Sequence, residues 1–105
     1  MVYTFTVLEV IKSETFARWI RKLKDRQAVA RINAKIRRLS ETGSFGDVKP
    51  AREGLSEIRI DYGPGYRLYF VQRGTALVVL LVGGDKSTQD ADIKLAIRIA
   101  KQWKD

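Results

Sequence analysis

Apolar and polar positions along this chain change period several times, and each change marks an element. Residues 2–8, VYTFTVL, alternate, with Tyr3, Phe5 and Val7 on one side and Thr4 and Thr6 on the other, which predicts a strand. Phe16, Trp19, Ile20 and Leu23 then recur at the spacing of an amphipathic helix, with Ser13 as its N-cap and Glu14 in its first turn. Asp25 caps a second helix whose buried stripe is Val29, Ile32, Ile36 and Leu39, and Gly43 is its natural stop. The short connection between them makes an αα-hairpin. Residues 43–54, GSFGDVKPAREG, hold three of the eight glycines and one of the two prolines, and they read as a loop.

The stretch Leu55 to Phe70, LSEIRIDYGPGYRLYF, is two alternating segments joined at Gly63-Pro64-Gly65, the pattern of a β-hairpin. If Tyr62 faces Tyr66, then Ile60 faces Leu68 and Ile58 faces Phe70. The even positions then form an apolar face. Glu57, Arg59, Asp61, Arg67 and Tyr69 fall on the other face, which this reading leaves open. A slip by one residue would drive the charges into the core, so the alternation itself selects the face.

Arg73-Gly74 makes a second tight turn. Ala76 to Val82, ALVVLLV, is apolar throughout and predicts a strand buried on both faces, ended by Gly83-Gly84-Asp85-Lys86. Ser87 or Thr88 caps a last helix with Asp90 and Asp92 early and Arg98, Lys101 and Lys104 late, the favourable order for the helix dipole. Its main stripe is Ile93, Ala96, Ile97 and Ala100. Leu95 and Ile99 lie off that stripe, so the helix is either wedged into the core or part of a docking surface. The order β-α-α-β-β-β-α predicts an α+β fold: a mostly antiparallel four-stranded sheet with the αα-hairpin on one face and a C-terminal helix following.

Composition narrows the chemistry. A chain of 105 residues suffices for a single domain with its own core. With no cysteine and no histidine, disulfides, thiol chemistry and the usual zinc ligands are excluded, and acid–base work falls to Glu, Asp, Lys, Arg or Tyr. Twenty Lys and Arg against twelve Asp and Glu give a net charge of +8, which suits a polyanionic partner. Ten of those cations lie in the two predicted N-terminal helices, either as a solvated face or as a grip on RNA backbone. The amino terminus MVYTFTVLEV lacks the charged region of a signal peptide, and the longest apolar run is too short to span a bilayer. The expectation is a cytoplasmic protein with no membrane contact.

The order of elements, with EIRIDYGPGYRLYF and then VVLLVGGDKSTQDADI, resembles the RelE/ParE superfamily of bacterial toxins. It is most similar to the small HigB-like addiction module killer proteins, over roughly residues 3–103. The most specific pieces are Gly65-Tyr66-Arg67, the LxEIRI run before it and the GGDKSTQ stretch. The resemblance implies a ribosome-dependent endoribonuclease in which the 2′-hydroxyl of messenger RNA attacks the adjacent phosphate, with no metal and no cofactor. Such a step needs a base, cations for the phosphorane charge and an acid for the leaving oxygen.

On this reading Glu57 is the candidate base, the alternative being a surface carboxylate in a cross-strand ion pair. Arg67 matches the family's Arg and binds phosphate through its planar guanidinium, the alternative being a pair with Asp61 directly opposite. Arg59 has the same two readings. Lys86 follows the glycine pair, where the family often carries a basic functional residue, and clamps phosphate or supplies the acid. Lys49 and Arg52 match the family's basic loop and are expected to hold RNA backbone. Tyr69 either stacks on a base or is a half-buried sheet tyrosine. The Tyr or His that many relatives place near the last helix or chain end is replaced here by Ser87-Thr88-Gln89 and Gln102-Trp103-Lys104. The acid then falls to Lys86, or the reaction leans on electrostatics and positioning.

Two other readings remain open. One is the gyrase-inhibiting, ParE-like branch of the same superfamily. The other is a nucleic-acid-binding module without chemistry. The partners implied by the resemblance are a cognate antitoxin, often acidic, together with the ribosome and its mRNA.

Overall fold

The structure is a computed structural model and describes residues 7–104. Its elements are β1 (Glu9–Lys12), α1 (Glu14–Lys22), α2 (Arg26–Thr42), β2 (Val48–Pro50), β3 (Ser56–Ile60), β4 (Tyr66–Arg73), β5 (Leu77–Asp85), a 3₁₀ turn (Lys86–Thr88) and α3 (Gln89–Gln102). The strands form one sheet in the order β1-β5-β4-β3-β2. β1 runs parallel to β5, and every other neighbouring pair is antiparallel.

The α+β class holds, but the sheet has five strands where four were expected. The extra strand is β2, inside the stretch read as a loop. It is short, exposed and ends at Pro50, features that suit a sheet edge and weaken any strand signal. Most of the expected first strand, residues 2–8, lies outside the described residues. Val7 and Leu8 form a bend, and the strand observed is the following EVIK of β1.

The helix ends follow the chain's own chemistry. Ser13 accepts a hydrogen bond from the Phe16 amide at 3.0 Å and donates its hydroxyl to the Leu81 carbonyl at 2.6 Å, so one buried side chain caps α1 and ties it to β5. Asp25 caps α2 through the amides of Gln27 and Ala28, and Gly43 ends it in the left-handed conformation, φ 73°. Thr88 stands at the start of α3 but forms no capping bond. Its hydroxyl donates instead to Asp92 at 2.7 Å.

The sheet is covered on both faces. One cluster joins Ile58, Ile60, Tyr66, Leu68, Phe70, Val78 and Leu80 to Phe16, Ala28, Ile32 and Leu39 of α1 and α2. The second joins Tyr69, Val79, Leu81 and Val82 to Ala96 of α3. Ile93, Leu95, Ile97 and Ile99 pack against this second cluster, so the broad apolar arc of α3 is wedged against the sheet. A bulge at Tyr69/Phe70 shifts β5 by one residue, which lets consecutive Leu81 and Val82 both serve the α3 side.

The strand expected to end at Gly83 continues through Asp85. A Cβ at Gly83 would collide with the Trp19 ring of α1. One at Gly84 would collide with the Asp92 carboxylate of α3. The two glycines therefore let helices press on the sheet from opposite faces.

Candidate functional site

The β3–β4 hairpin keeps the predicted faces but not the predicted register. Ile60 pairs with Tyr66, Ile58 with Leu68, and Ser56 with Phe70. The slip is two residues, so every side chain stays on its expected side. Its cause is Tyr62, which leaves the ladder and turns to α2. There Arg31 lies over its ring at 4.6 Å, and its hydroxyl donates to Gln27 Oε1 at 3.2 Å.

The two-residue slip changes who faces whom. Arg67 stands opposite Arg59, not opposite Asp61, and no ion pair joins Arg67 to Asp61. The Arg59 amide donates to the Asp47 carbonyl at 2.8 Å, and Arg67 pairs with Gly84. One row across the sheet therefore reads Asp47, Arg59, Arg67, Gly84. The next row reads Lys49, Glu57, Tyr69, Val82.

The charged face is not the open surface expected. α3 covers much of it, and Glu57, Arg67 and Tyr69 are 3%, 8% and 0% exposed. The Glu57 carboxylate lies 3.5 Å from Arg59 Nε and 3.6 Å from Lys49 Nζ. It is buried and does not line the cleft at the hairpin's open end, so the free surface position expected of a base is not what it occupies. Tyr69 is sealed, so it offers no ring for a base to stack on. Burial pushes its hydroxyl up to about 12; Glu57 and Asp92 add to the rise, while Gln89 and Arg67 oppose it. The Gln89 amide is near enough to act on it, yet no hydrogen bond of proper geometry joins them, and among the described residues the hydroxyl has no partner.

At the hairpin's open end lies a cleft of about 410 Å³. Arg59, Arg67 and Lys86 line it, together with Asp47, Asp61 and the Gly63-Pro64-Gly65 turn. Gly65, at φ 80°, brings the turn against the Lys86 side chain. Two guanidiniums placed directly across a strand pair repel each other. Arg59 is partly neutralised by Glu57. Among the described residues Arg67 has no ion-pair partner and its Nε no hydrogen-bond partner. A buried guanidinium left in that state, beside a second one and an ammonium, is an unfilled site for a bidentate anion such as phosphate.

The candidate residues thus divide. The cleft gathers Arg59, Arg67 and Lys86. Glu57, Lys49 and Tyr69 form the row behind it. Arg52 stands apart, bound to Asp90 of α3 at 2.8 Å, and lines no part of the cleft. Asp47 and Asp61 line the cleft and were not among the candidates; the signal that would have found them is the hairpin register, which puts both beside the paired arginines. A larger groove of about 510 Å³ between β4 and the end of α3 includes Val71, Ile97 and Trp103, but it has no comparable convergence of unpaired cations.

Near Gly84, burial raises the Asp92 carboxyl above its ordinary range against the pull of its Thr88 hydrogen bond, and Asp85 adds to the rise. Two hydrogen bonds from Ser87 lower the Asp85 carboxyl. Among the described residues no helix is long and apolar enough to cross a membrane.

The same fold is found in a solved bacterial protein. The free Escherichia coli toxin RelE, solved as a double mutant, superposes with a TM-score of 0.62 at 15% identity, over 84% of this chain and 96% of that one. At that identity the likeness speaks for the fold. The family model "Phage derived protein Gp49-like (DUF891)" matches residues 18–105. A Haemophilus influenzae protein (strain ATCC 51907 / DSM 11121 / KW20 / Rd), itself described as uncharacterized, is 48% identical over 95 residues, 90% of this chain and 95% of that protein. The chain belongs to the Gp49-like family.

Proposed function

We propose that this chain is the toxin of a toxin–antitoxin pair, acting in the HigB-like manner as a ribosome-dependent endoribonuclease on messenger RNA. One observation carries the reading: the buried, unneutralised Arg67 faces Arg59 across the hairpin and opens, with Lys86, into a single cleft. Three fixed cations there match the charge that builds on a phosphodiester under attack. The 2′-oxygen bonds to phosphorus, the bond from phosphorus to the 5′-oxygen breaks, and the products are a 2′,3′-cyclic phosphate and a free 5′-hydroxyl. Lys86 Nζ gives its proton to the departing 5′-oxygen. Glu57, behind the cleft, holds Arg59 in place. Lys49 and Arg52 and the basic α1–α2 surface attract the RNA backbone, and the +8 charge draws an acidic antitoxin.

The test is induced expression followed by mapping of mRNA 5′ ends, with wild type beside Arg67→Ala, Arg59→Ala and Lys86→Ala. Wild type should create new ends, and each variant should lower cleavage about 10²–10³-fold, the usual cost of losing one preorganised charge-stabilising donor. Arg67 is buried, so its variant is read beside a thermal melt, and the more exposed Arg59 and Lys86 carry the comparison. Growth arrest with intact mRNA and inhibited gyrase would replace this reading with the ParE-like one. Tight RNA binding with no cut product would replace it with a binding module.

A further inference from the structure

We propose that Asp61 is the proton acceptor for the attacking 2′-hydroxyl, an assignment that rests on the ribonuclease reading above. The reaction needs a carboxylate in contact with the bound linkage. Glu57 fails that requirement, because it is 3% exposed, engaged with Arg59 and Lys49, and behind the cleft. Asp92 is drawn to Gly84 and Thr88 and does not line the cleft. Two carboxylates do line it, Asp47 and Asp61, and both are exposed and free of ion pairs among the described residues.

Position separates these two. Asp47 stands on the far side of Arg59 from Arg67, at the end of the cross-sheet row next to edge strand β2. Asp61 follows directly after the last ladder pair, Ile60 with Tyr66, on the strand that carries Arg59. Two residues of extended chain separate the Asp61 and Arg59 backbones by about 7 Å, a span that their two side chains can bridge to reach one nucleotide. Gly65, just before the last ladder residue Tyr66 on the facing strand, packs against the Lys86 side chain. Asp61 therefore stands at the mouth formed by Arg59, Arg67 and Lys86. A phosphate seated on those cations directs its sugar toward that mouth. As the 2′-oxygen bonds to phosphorus, its proton passes to the Asp61 carboxylate, and the 5′-oxygen leaves with the proton from Lys86. An unpaired carboxylate in an anion-binding cleft otherwise only repels the substrate, and this step gives it a use.

The experiment measures single-turnover cleavage of ribosome-bound mRNA by the full chain. It compares wild type, Asp61→Asn, Asp61→Glu, Asp47→Asn and Lys86→Ala. Binding is measured separately with an mRNA carrying a 2′-deoxy nucleotide at the cleaved position. Asp61→Asn should cleave about 10²–10³-fold more slowly, within the range for a lost general base, and bind the 2′-deoxy substrate as tightly as wild type or more tightly. Asp61→Glu should recover part of the rate, and Asp47→Asn should lose less than Asp61→Asn. A substrate with a 5′-thio leaving group, which departs without an acid, should relieve the Lys86→Ala defect and leave the Asp61→Asn defect intact. Cleavage by Asp61→Asn within about threefold of wild type, or a larger loss in Asp47→Asn, overturns this assignment alone. No cleavage by wild type overturns it together with the ribonuclease reading.

Discussion

Replacing Tyr69 by Phe should stabilise this protein. Tyr69 is fully buried at the centre of the sheet beneath α3, and its hydroxyl has no hydrogen-bond partner among the described residues. A buried polar group left unsatisfied costs roughly 1–3 kcal/mol. Removing one oxygen gives back some packing, at up to about 1 kcal/mol for the small void. The net expectation at pH 7 is a gain of about 1 kcal/mol, or roughly 4–8 °C in Tm for a domain of this size.

The same burial fixes a pH signature. The folded hydroxyl titrates at about 12 against an ordinary value of 10.0, so folding favours its neutral form. Below pH 10 both states hold the proton and this contribution is fully present. As pH rises from 10 to 12 the unfolded chain loses the proton first, and wild-type stability falls with it. Two units correspond to roughly 2–3 kcal/mol, which Tyr69→Phe does not lose. Every other ionisable group is common to both proteins and cancels in the difference. Urea unfolding of the pair at pH 7, 9, 11 and 12 reads the gap directly, provided the m-values agree. A variant less stable than wild type by about 1 kcal/mol at pH 7, with a gap that stays constant to pH 12, would show that the hydroxyl is satisfied and refute the reasoning.

Ser13→Ala removes both the cap on the Phe16 amide and the tie to the Leu81 carbonyl. It should cost roughly 1–3 kcal/mol in urea unfolding, more than an exposed cap would. Glu57→Gln leaves Arg59 beside unneutralised Arg67. It should cost roughly 1–3 kcal/mol in the same assay, below the value for a fully buried pair because Arg59 and Lys49 reach solvent. If Glu57 only positions Arg59, Glu57→Gln should also weaken mRNA binding in proportion to its loss of cleavage, whereas unchanged binding with abolished cleavage would return the role of base to Glu57.

Much of this molecule was legible in local pattern. Ser13, Asp25 and Gly43 marked helix ends because a side-chain acceptor or a left-handed residue is needed there and few residue types supply it. Ala76 to Val82 announced a strand covered on both sides. The alternation of Glu57, Arg59, Arg67 and Tyr69 placed all four on one face of the hairpin, and they stayed there although the pairing moved by two residues. A period of two survives any even slip.

What local pattern left open was what stands over that face and beside it. β1 is a short edge strand whose partner β5 lies far along the chain, and only the assembled sheet gives it its hydrogen bonds; β2 pairs with nearby β3, but its three exposed residues ending in proline are too few to carry a strand pattern. The offset of the hairpin follows from Tyr62 finding Arg31 and Gln27 on α2, a contact across some thirty-five positions of sequence. α3, drawn onto the sheet by its apolar arc, buried Glu57 and Tyr69 and left Arg59, Arg67 and Lys86 to line the cleft with Asp47 and Asp61. Alternation along one strand chooses the side on which a residue lies. Whether that side meets water or a helix depends on packing between segments far apart in the chain, and that was decided only when the fold closed.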